Sequence, residues 1–360
     1  MIRLPGLIDP HVHLREPGAT HKEDFDSGTQ AALAGGITTV LAMPNTSPPL
    51  TDRASLELAE EAGADKARCD YGIYLGAGAD NIENAFQLAD RVCGLKLYLD
   101  QTYGPLRIES LEQMEAHLAA WPRNKPIAAH SEGRSLAALL LLAGLFDRKV
   151  HICHVSLREE ILLIRKAKEH GYRVTCEVTP HHLTLTEEDI PALGGGRSEV
   201  RPRLATRRDR QALWDNLDVI DVIATDHAPH TVSEKDGENP PPGFPGLETS
   251  LAIMFTAVRE GRLTLDALIE RMYTNPARIF GIPVQPDTEV LVDPDSKWTV
   301  EGSDLFSRCG WTPFEGMQFQ GRVREVCLRG KTVFRDGEVL AAAGSGRNLF
   351  RLKRLNKPKE

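Results

Sequence analysis

Gly6-Leu7-Ile8-Asp9-Pro10-His11-Val12-His13-Leu14-Arg15 is an apolar run that ends in His-x-His. Side chains two apart on a strand project to one face, so His11 and His13 would present two imidazoles together at a strand terminus. Neutral imidazole is a common zinc ligand, and two such nitrogens can grip one ion. The plain alternative is a pair of surface histidines beside a turn, and the rest of the chain bears on the choice.

Short apolar runs recur at residues 6–11, 37–43, 71–76, 95–99, 127–130, 150–155, 174–178 and 219–226, with amphipathic stretches at 53–64, 110–120, 131–146, 158–170 and 207–217. Apolar strands alternating with helices indicate a parallel sheet covered by helices. Eight such units predict an α/β fold, a (β/α)8 TIM-type barrel over residues 5–285, whose chemistry belongs at the carboxyl ends of the strands. Ligand-type residues gather there: His11 and His13 close the first run, Asn45 follows the second, Lys96 lies in the fourth, and His130, His154, Glu177 and Asp226 end the fifth to eighth. Core packing alone would not produce that placement.

Composition narrows the function classes. The chain has 360 residues, 41% hydrophobic and 26% charged, enough for a large core. A net charge of −8 argues against a nucleic-acid partner, which needs a basic face. No apolar run is long enough to span a bilayer and no secretory leader is evident. The six cysteines follow no paired spacing, so reduced thiols in a cytoplasmic protein are expected.

Lys96 in Gly94-Leu95-Lys96-Leu97-Tyr98-Leu99 is an ammonium flanked by apolar strand residues, a placement with a heavy desolvation cost. One resolution is snorkelling from an edge strand. The other is chemical: a neutral amine can add carbon dioxide, and the resulting carbamate has two oxygens able to bridge two metals. The surrounding histidines favour the carbamate.

These stretches, with Ala42-Met43-Pro44-Asn45-Thr46, His151-Ile152-Cys153-His154-Val155, Thr179-Pro180-His181-His182-Leu183, Thr225-Asp226-His227-Ala228-Pro229-His230 and Pro240-Pro241-Pro242-Gly243-Phe244-Pro245-Gly246-Leu247-Glu248-Thr249, resemble the dihydroorotases of the amidohydrolase superfamily. The resemblance is greatest to the dihydroorotase domain of animal multifunctional pyrimidine-synthesis proteins. It implies two zinc ions: His11, His13 and Asp226 on one, His130 and His154 on the other, and carboxylated Lys96 bridging both. Asp226 would also be the acid/base. Arg15, Asn45 and His230 would receive a substrate carboxylate, with Arg201, Pro242 and Gly243 lining the rest of the pocket. The implied reaction is the reversible closure of N-carbamoyl-L-aspartate to dihydroorotate with loss of water.

Further features extend that site. In the family a loop like Asp100-Gln101-Thr102-Tyr103-Gly104-Pro105 closes over the substrate, so Thr102 and Tyr103 are expected to touch it; where the animal domain typically has Phe, Tyr103 adds a hydroxyl. Cys153 and Glu177 raise a third zinc position with His130. Neighbouring strand residues face opposite ways, which opposes Cys153 and His154 serving one cluster unless the strand end bends.

Toward the carboxyl end, residues 319–328 and 332–339 alternate like a hairpin, and residues 1–4 with 286–345 are expected to form a small β-sandwich. Residues 346–360 are basic and linker-like. Stand-alone relatives carry a longer strand-rich segment before the His-x-His, so a module of a longer chain is expected, joined to carbamoyl phosphate synthetase and aspartate transcarbamoylase modules and paired as a homodimer. Two competing readings remain: a dihydropyrimidinase, hydantoinase or allantoinase acting on another ring amide, and a non-catalytic scaffold, which would normally have lost ligands.

Overall fold

A computed structural model describes residues 1–351; the tail expected as a linker lies outside the described residues from 352 onward. Residues 346–351 are packed rather than linker-like: Gly346 N donates to Ala67 O at 2.8 Å and Tyr71 N to Arg347 O at 2.9 Å, and Leu349 and Phe350 are buried. Two aromatic or aliphatic side chains in a basic stretch are enough to bind its start to the barrel.

The strands are β1 (Ile2–Pro5), β2 (Leu7–Val12), β3 (Ile37–Ala42), β4 (Asp70–Ile73), β5 (Leu75–Gly76), β6 (Leu95–Tyr98), β7 (Ile127–His130), β8 (Val150–Ile152), β9 (Val174–Val178), β10 (Val222–Ile223), β11 (Glu289–Thr299), β12 (Gln318–Leu328), β13 (Lys331–Arg335) and β14 (Glu338–Val339). Strands β2 to β10 pair in parallel as two arcs, β2-β3-β4 and β5-β6-β7-β8-β9-β10. Only Tyr74 separates β4 from β5, and its N–H bonds Ala42 O at 2.9 Å, so the two pieces are one kinked strand and the expected eight positions are filled. The ladder is not a closed ring. Between β10 and β2 it reduces to a Val12–His227 bridge, with His13 N donating to His227 O at 2.7 Å.

Helices cover the strands outside. Several start on the residues their sequences call for: Asp24, Asp52, Ser110 and Thr206 each accept a backbone N–H from the third helical residue, and the side chain of that residue answers the cap. The helix expected from Ser131 begins instead at Arg134, because Gly133, at φ 49°, has a backbone that a right-handed helix cannot include.

The small β domain is an antiparallel sheet in the order β1-β11-β12-β13-β14. Its longest pair, β11 and β12, slips register between Asp293 and Lys297, and such bulges bend a sheet. Ile2 pairs with Val292, which ties the amino-terminal strand to this domain before the chain enters the barrel.

Candidate metal centre and substrate chamber

The carboxyl ends of β2, β3, β7, β8 and β10 deliver His11, His13, Asn45, His130, His154 and Asp226 to one chamber, together with Arg15, Tyr98, Thr102, Tyr103, Arg201, Pro242 and Gly243. Arg15 (φ 58°), His154 (φ 35°) and Asp226 (φ 47°) have left-handed backbone, uncommon for such residues. Each turns the chain as it leaves a strand. At His154 this supplies the bend needed for Cys153 and His154 both to face the interior, and both are buried.

Nε2 of His11 and Nε2 of His13 each lie 3.1 Å from the same oxygen of Asp226. Among the described residues, two groups of three have donor atoms within 4.8 Å of one another: His11, His13 and Asp226, and His11, Cys153 and Glu177. Nδ1 of His11 contacts Glu177 Oε1, whose other oxygen lies 3.0 Å from His151 Nε2. Rings of His130 and His154 stand 4.5 Å apart. Nδ1 of His154 is buried without a hydrogen-bond partner, as is expected of a nitrogen kept for a metal. Lys96 is fully buried, and its Nζ donates to Cys153 Sγ at 2.8 Å.

Of the residues considered for a third ion, Cys153 and Glu177 are brought together with His11, whereas His130 turns Nε2 toward Glu132 at 3.0 Å. This buried set of imidazoles, carboxylates and a thiol suits zinc.

The electrostatics follow from crowding acids and imidazoles out of water. Burial opposes ionisation of Asp226, yet His11, His13 and His181 hold its carboxyl below the usual range. Burial and Lys96 work against protonation of His11, but Glu177 and Asp226 prevail and raise it to about 10. His13 falls to about 4, chiefly through burial.

Beside the ligands lies a cationic pocket. Arg15 Nε donates to Pro229 O at 3.1 Å, leaving one guanidinium edge near His230, whose Nε2 is 2.9 Å away. Burial, then Arg15 and Lys22, push His230 far below its ordinary value, so it is neutral. The proline-rich loop is held by Lys235, whose ammonium donates to Glu199 O at 2.7 Å and Pro241 O at 2.9 Å.

Residues 2–285 match the Amidohydrolase family. The dihydroorotase of Pyrococcus abyssi is 37% identical over 360 residues, 94% of this chain and 85% of that protein. This chain belongs to the amidohydrolase family, among the dihydroorotases. It is also 56% identical over 350 residues to the multifunctional protein pyr1-3 of Dictyostelium discoideum and 52% identical over 349 to the multifunctional protein CAD of Squalus acanthias. In both comparisons 97% of this chain is matched, and it spans 16% of the relative's length. An L-hydantoinase from Arthrobacter aurescens superposes with a TM-score of 0.90 at 26% identity, over 97% of this chain and 88% of that one.

Several members of this amidohydrolase site carry no distinctive sequence signal. Lys22, Tyr98 and Lys235 are single residues outside any ligand spacing, and only the fold brings them to the chamber or its loops. His181 is different: it stands in the quoted Thr-Pro-His-His stretch, is buried with Nε2 unpartnered, and could have been singled out by that motif.

Proposed function

We propose that this chain is a dihydroorotase that closes N-carbamoyl-L-aspartate to (S)-dihydroorotate with loss of water, and reverses the step, in de novo pyrimidine biosynthesis. The observation that carries this reading is that one chamber is lined both by metal-type ligands and by the cations Arg15 and Arg201. His11, His13 and Asp226 would hold one zinc, His130 and His154 a second, with carboxylated Lys96 shared by both; Cys153 and Glu177 would serve a third, their donor atoms lying with His11 rather than with His130. Bound zinc activates water near neutral pH and polarises an adjacent carbonyl.

The side chains supply the rest. Arg15 offers a two-pronged guanidinium to the carboxylate common to substrate and product, and Asn45 and His230 flank it. Arg201, Pro242 and Gly243 wall the pocket, while Thr102 and Tyr103 cover it and exclude water. In ring opening Asp226 takes a proton from the attacking water and gives it to the ring nitrogen as the C–N bond breaks; in closing the same proton returns the other way. Held ionised by its neighbouring histidines, Asp226 starts in the form that can accept a proton.

Every ligand position is filled, which disfavours a non-catalytic scaffold. A hydantoinase or dihydropyrimidinase would have no carboxylate for Arg15 to bind. Zinc analysis with an assay of carbamoyl aspartate cyclisation tests the reading; a zinc protein that opened hydantoin or dihydrouracil but formed no dihydroorotate would overturn it.

The chain is further proposed to act in the cytoplasm as a homodimer, within a longer protein bearing carbamoyl phosphate synthetase and aspartate transcarbamoylase modules. Its six cysteines are all free thiols, and among the described residues no helix is long and apolar enough to cross a membrane. On helix Arg134–Leu145, Leu141 and Leu145 are 56% and 71% exposed one turn apart, an apolar stripe suited to pairing. Sedimentation of Leu145→Glu beside the unaltered chain checks that face.

A further inference from the structure

Lys22 lies in the turn before the helix Phe25–Ala34 and is 4% exposed. Its ammonium meets three partners: Glu234 Oε1 at 2.9 Å, His230 Nδ1 at 3.1 Å and the Tyr103 hydroxyl at 3.3 Å. The Tyr103 ring lies beneath two cations, with Lys22 Nζ 4.8 Å and the Arg15 guanidinium carbon 5.0 Å from its centre, and packs edge-on to His230 at 5.0 Å. Lys22 thus joins three elements: the loop after β6, the segment after β10, and the short helix Val232–Lys235 that carries Glu234.

An ammonium only donates. So does the Arg15 guanidinium at Nε2, but Nε2 also faces an acceptor, the Pro242 carbonyl at 3.1 Å, and the tautomer with Nδ1 accepting from Lys22 and the hydrogen on Nε2 therefore satisfies more partners than its alternative. The backbone of His230 is fixed independently, since Trp311 Nε1 donates to its carbonyl at 2.7 Å. Nε2–H and the Arg15 guanidinium, 2.9 Å apart, then stand as two donors side by side, and a carboxylate oxygen placed against both would offset their mutual repulsion.

We infer that Lys22 is a positioning residue of this pocket, fixing His230 as the Nε2–H donor beside Arg15 and tethering the loop over the pocket through the Tyr103 hydroxyl. The carboxylate it prepares for is that of the dihydroorotase reading, on which this part of the inference rests. Phe at position 103 would keep the ring contacts and lose the tether. Glu234 holds the ammonium in place, and its own carboxyl, opposed by burial but favoured by Lys22 and the Thr231 backbone, is lowered to about 2.

The test uses the zinc-loaded full chain with 15N-labelled histidine, the His230 signal being identified by its loss in His230→Asn. The unaltered protein should show an acceptor-type Nδ1 and a protonated Nε2, and Lys22→Met should shift that balance while zinc content stays the same. For carbamoyl aspartate, Lys22→Met should raise KM about ten- to hundredfold, the range expected for a hydrogen bond to a charged group, with a smaller change in kcat. Tyr103→Phe should raise KM, and combining it with Lys22→Met should add less than the product of the two effects. Lys22→Arg should restore the tautomer.

An unchanged His230 tautomer together with an unchanged KM in Lys22→Met would overturn the inference, and so would independent, multiplying effects in the double variant. If Lys22→Met failed to fold, a Tyr103→Phe chain with unaltered KM, or a Lys22→Arg chain with a lost Nε2–H, would do the same. The tautomer is read without substrate. A chain that showed it but did not cyclise carbamoyl aspartate would defeat the dihydroorotase reading and leave the role of Lys22 standing.

Discussion

Nδ1 of His13 lies 2.6 Å from the side-chain oxygen of Asn45. The Asn45 amide nitrogen donates to Tyr103 O at 2.9 Å, so the orientation of the amide is set by a group that can only accept. Nδ1 of His13 must then carry the hydrogen, and Nε2 is left with its lone pair toward Asp226. One asparagine thereby aims a metal-type nitrogen and anchors the loop that bears Tyr103.

Asn45→Ala should accordingly weaken zinc binding about ten- to hundredfold, the usual effect of losing such an outer partner, and should also raise KM for carbamoyl aspartate. Competition against a chromophoric chelator measures the first effect. An unchanged zinc affinity would show that His13 needs no such support.

Asp226→Asn should fold yet lose activity by roughly a hundredfold or more in both directions, as removal of a general acid/base requires. Initial rates of ring closing and ring opening are the check, and retention of a tenth of the activity would remove Asp226 from that role.

Lys96→Ala should lose metal and activity together, because the proposed bridge disappears. Metal analysis after gel filtration decides it; two tightly retained zinc ions per chain would eliminate the carbamate.

Gly243 has φ 148°, and a Cβ there would collide with the Ala228 carbonyl. Gly243→Ala should therefore displace the pocket wall at a cost on the order of 1–3 kcal/mol, seen as a raised KM with zinc content unaltered. A crystal structure with an unmoved loop would contradict this.

Glu248 accepts from the backbone N–H of Phe306 and of Ser307, each at 3.0 Å. Burial, aided by nearby Glu23, outweighs those bonds and raises its carboxyl from 4.5 to about 8. Between those values the folded protein holds a proton that the unfolded chain has released, so this group makes stability fall as pH rises through that window. Urea midpoints should follow that slope. In Glu248→Gln the profile should start lower, one amide having lost its acceptor, and run flatter.

The barrel was legible because its strands are short, apolar and separated by capped helices: β7 and β9 occupy the predicted residues without change, and Asp52 and Ser110 announce the helices that follow. Strand β11 was not. Its middle, Asp293-Pro294-Asp295-Ser296, breaks the alternation a strand shows, and the register slips at that point. In the site, residues with ligand spacing or motif chemistry could be read from the chain, and the chamber gathers His11, His13, His130, His154, Asp226, Arg15, Asn45 and Arg201. The grouping of Cys153 and Glu177 with His11 could not, since it depends on how three strand ends approach across the barrel. Lys22 was invisible for a similar reason: its partners lie 81, 208 and 212 positions away.

The single Val12–His227 bridge between β10 and β2 has a thermodynamic corollary. Few bonds cross there: His13 N to His227 O at 2.7 Å, and Thr225 to the Asp9 carboxylate, with Thr225 Oγ1 2.5 Å from Oδ2. His11 and His13 stand on one side of that gap and Asp226 on the other, so an ion shared among them would rivet the first strand of the barrel to the last. Metal-free protein should then exchange the amide hydrogens of His13 and Thr225 faster than those of β7, and stripping the ion would unzip the cylinder at its weakest stitch before any helix let go.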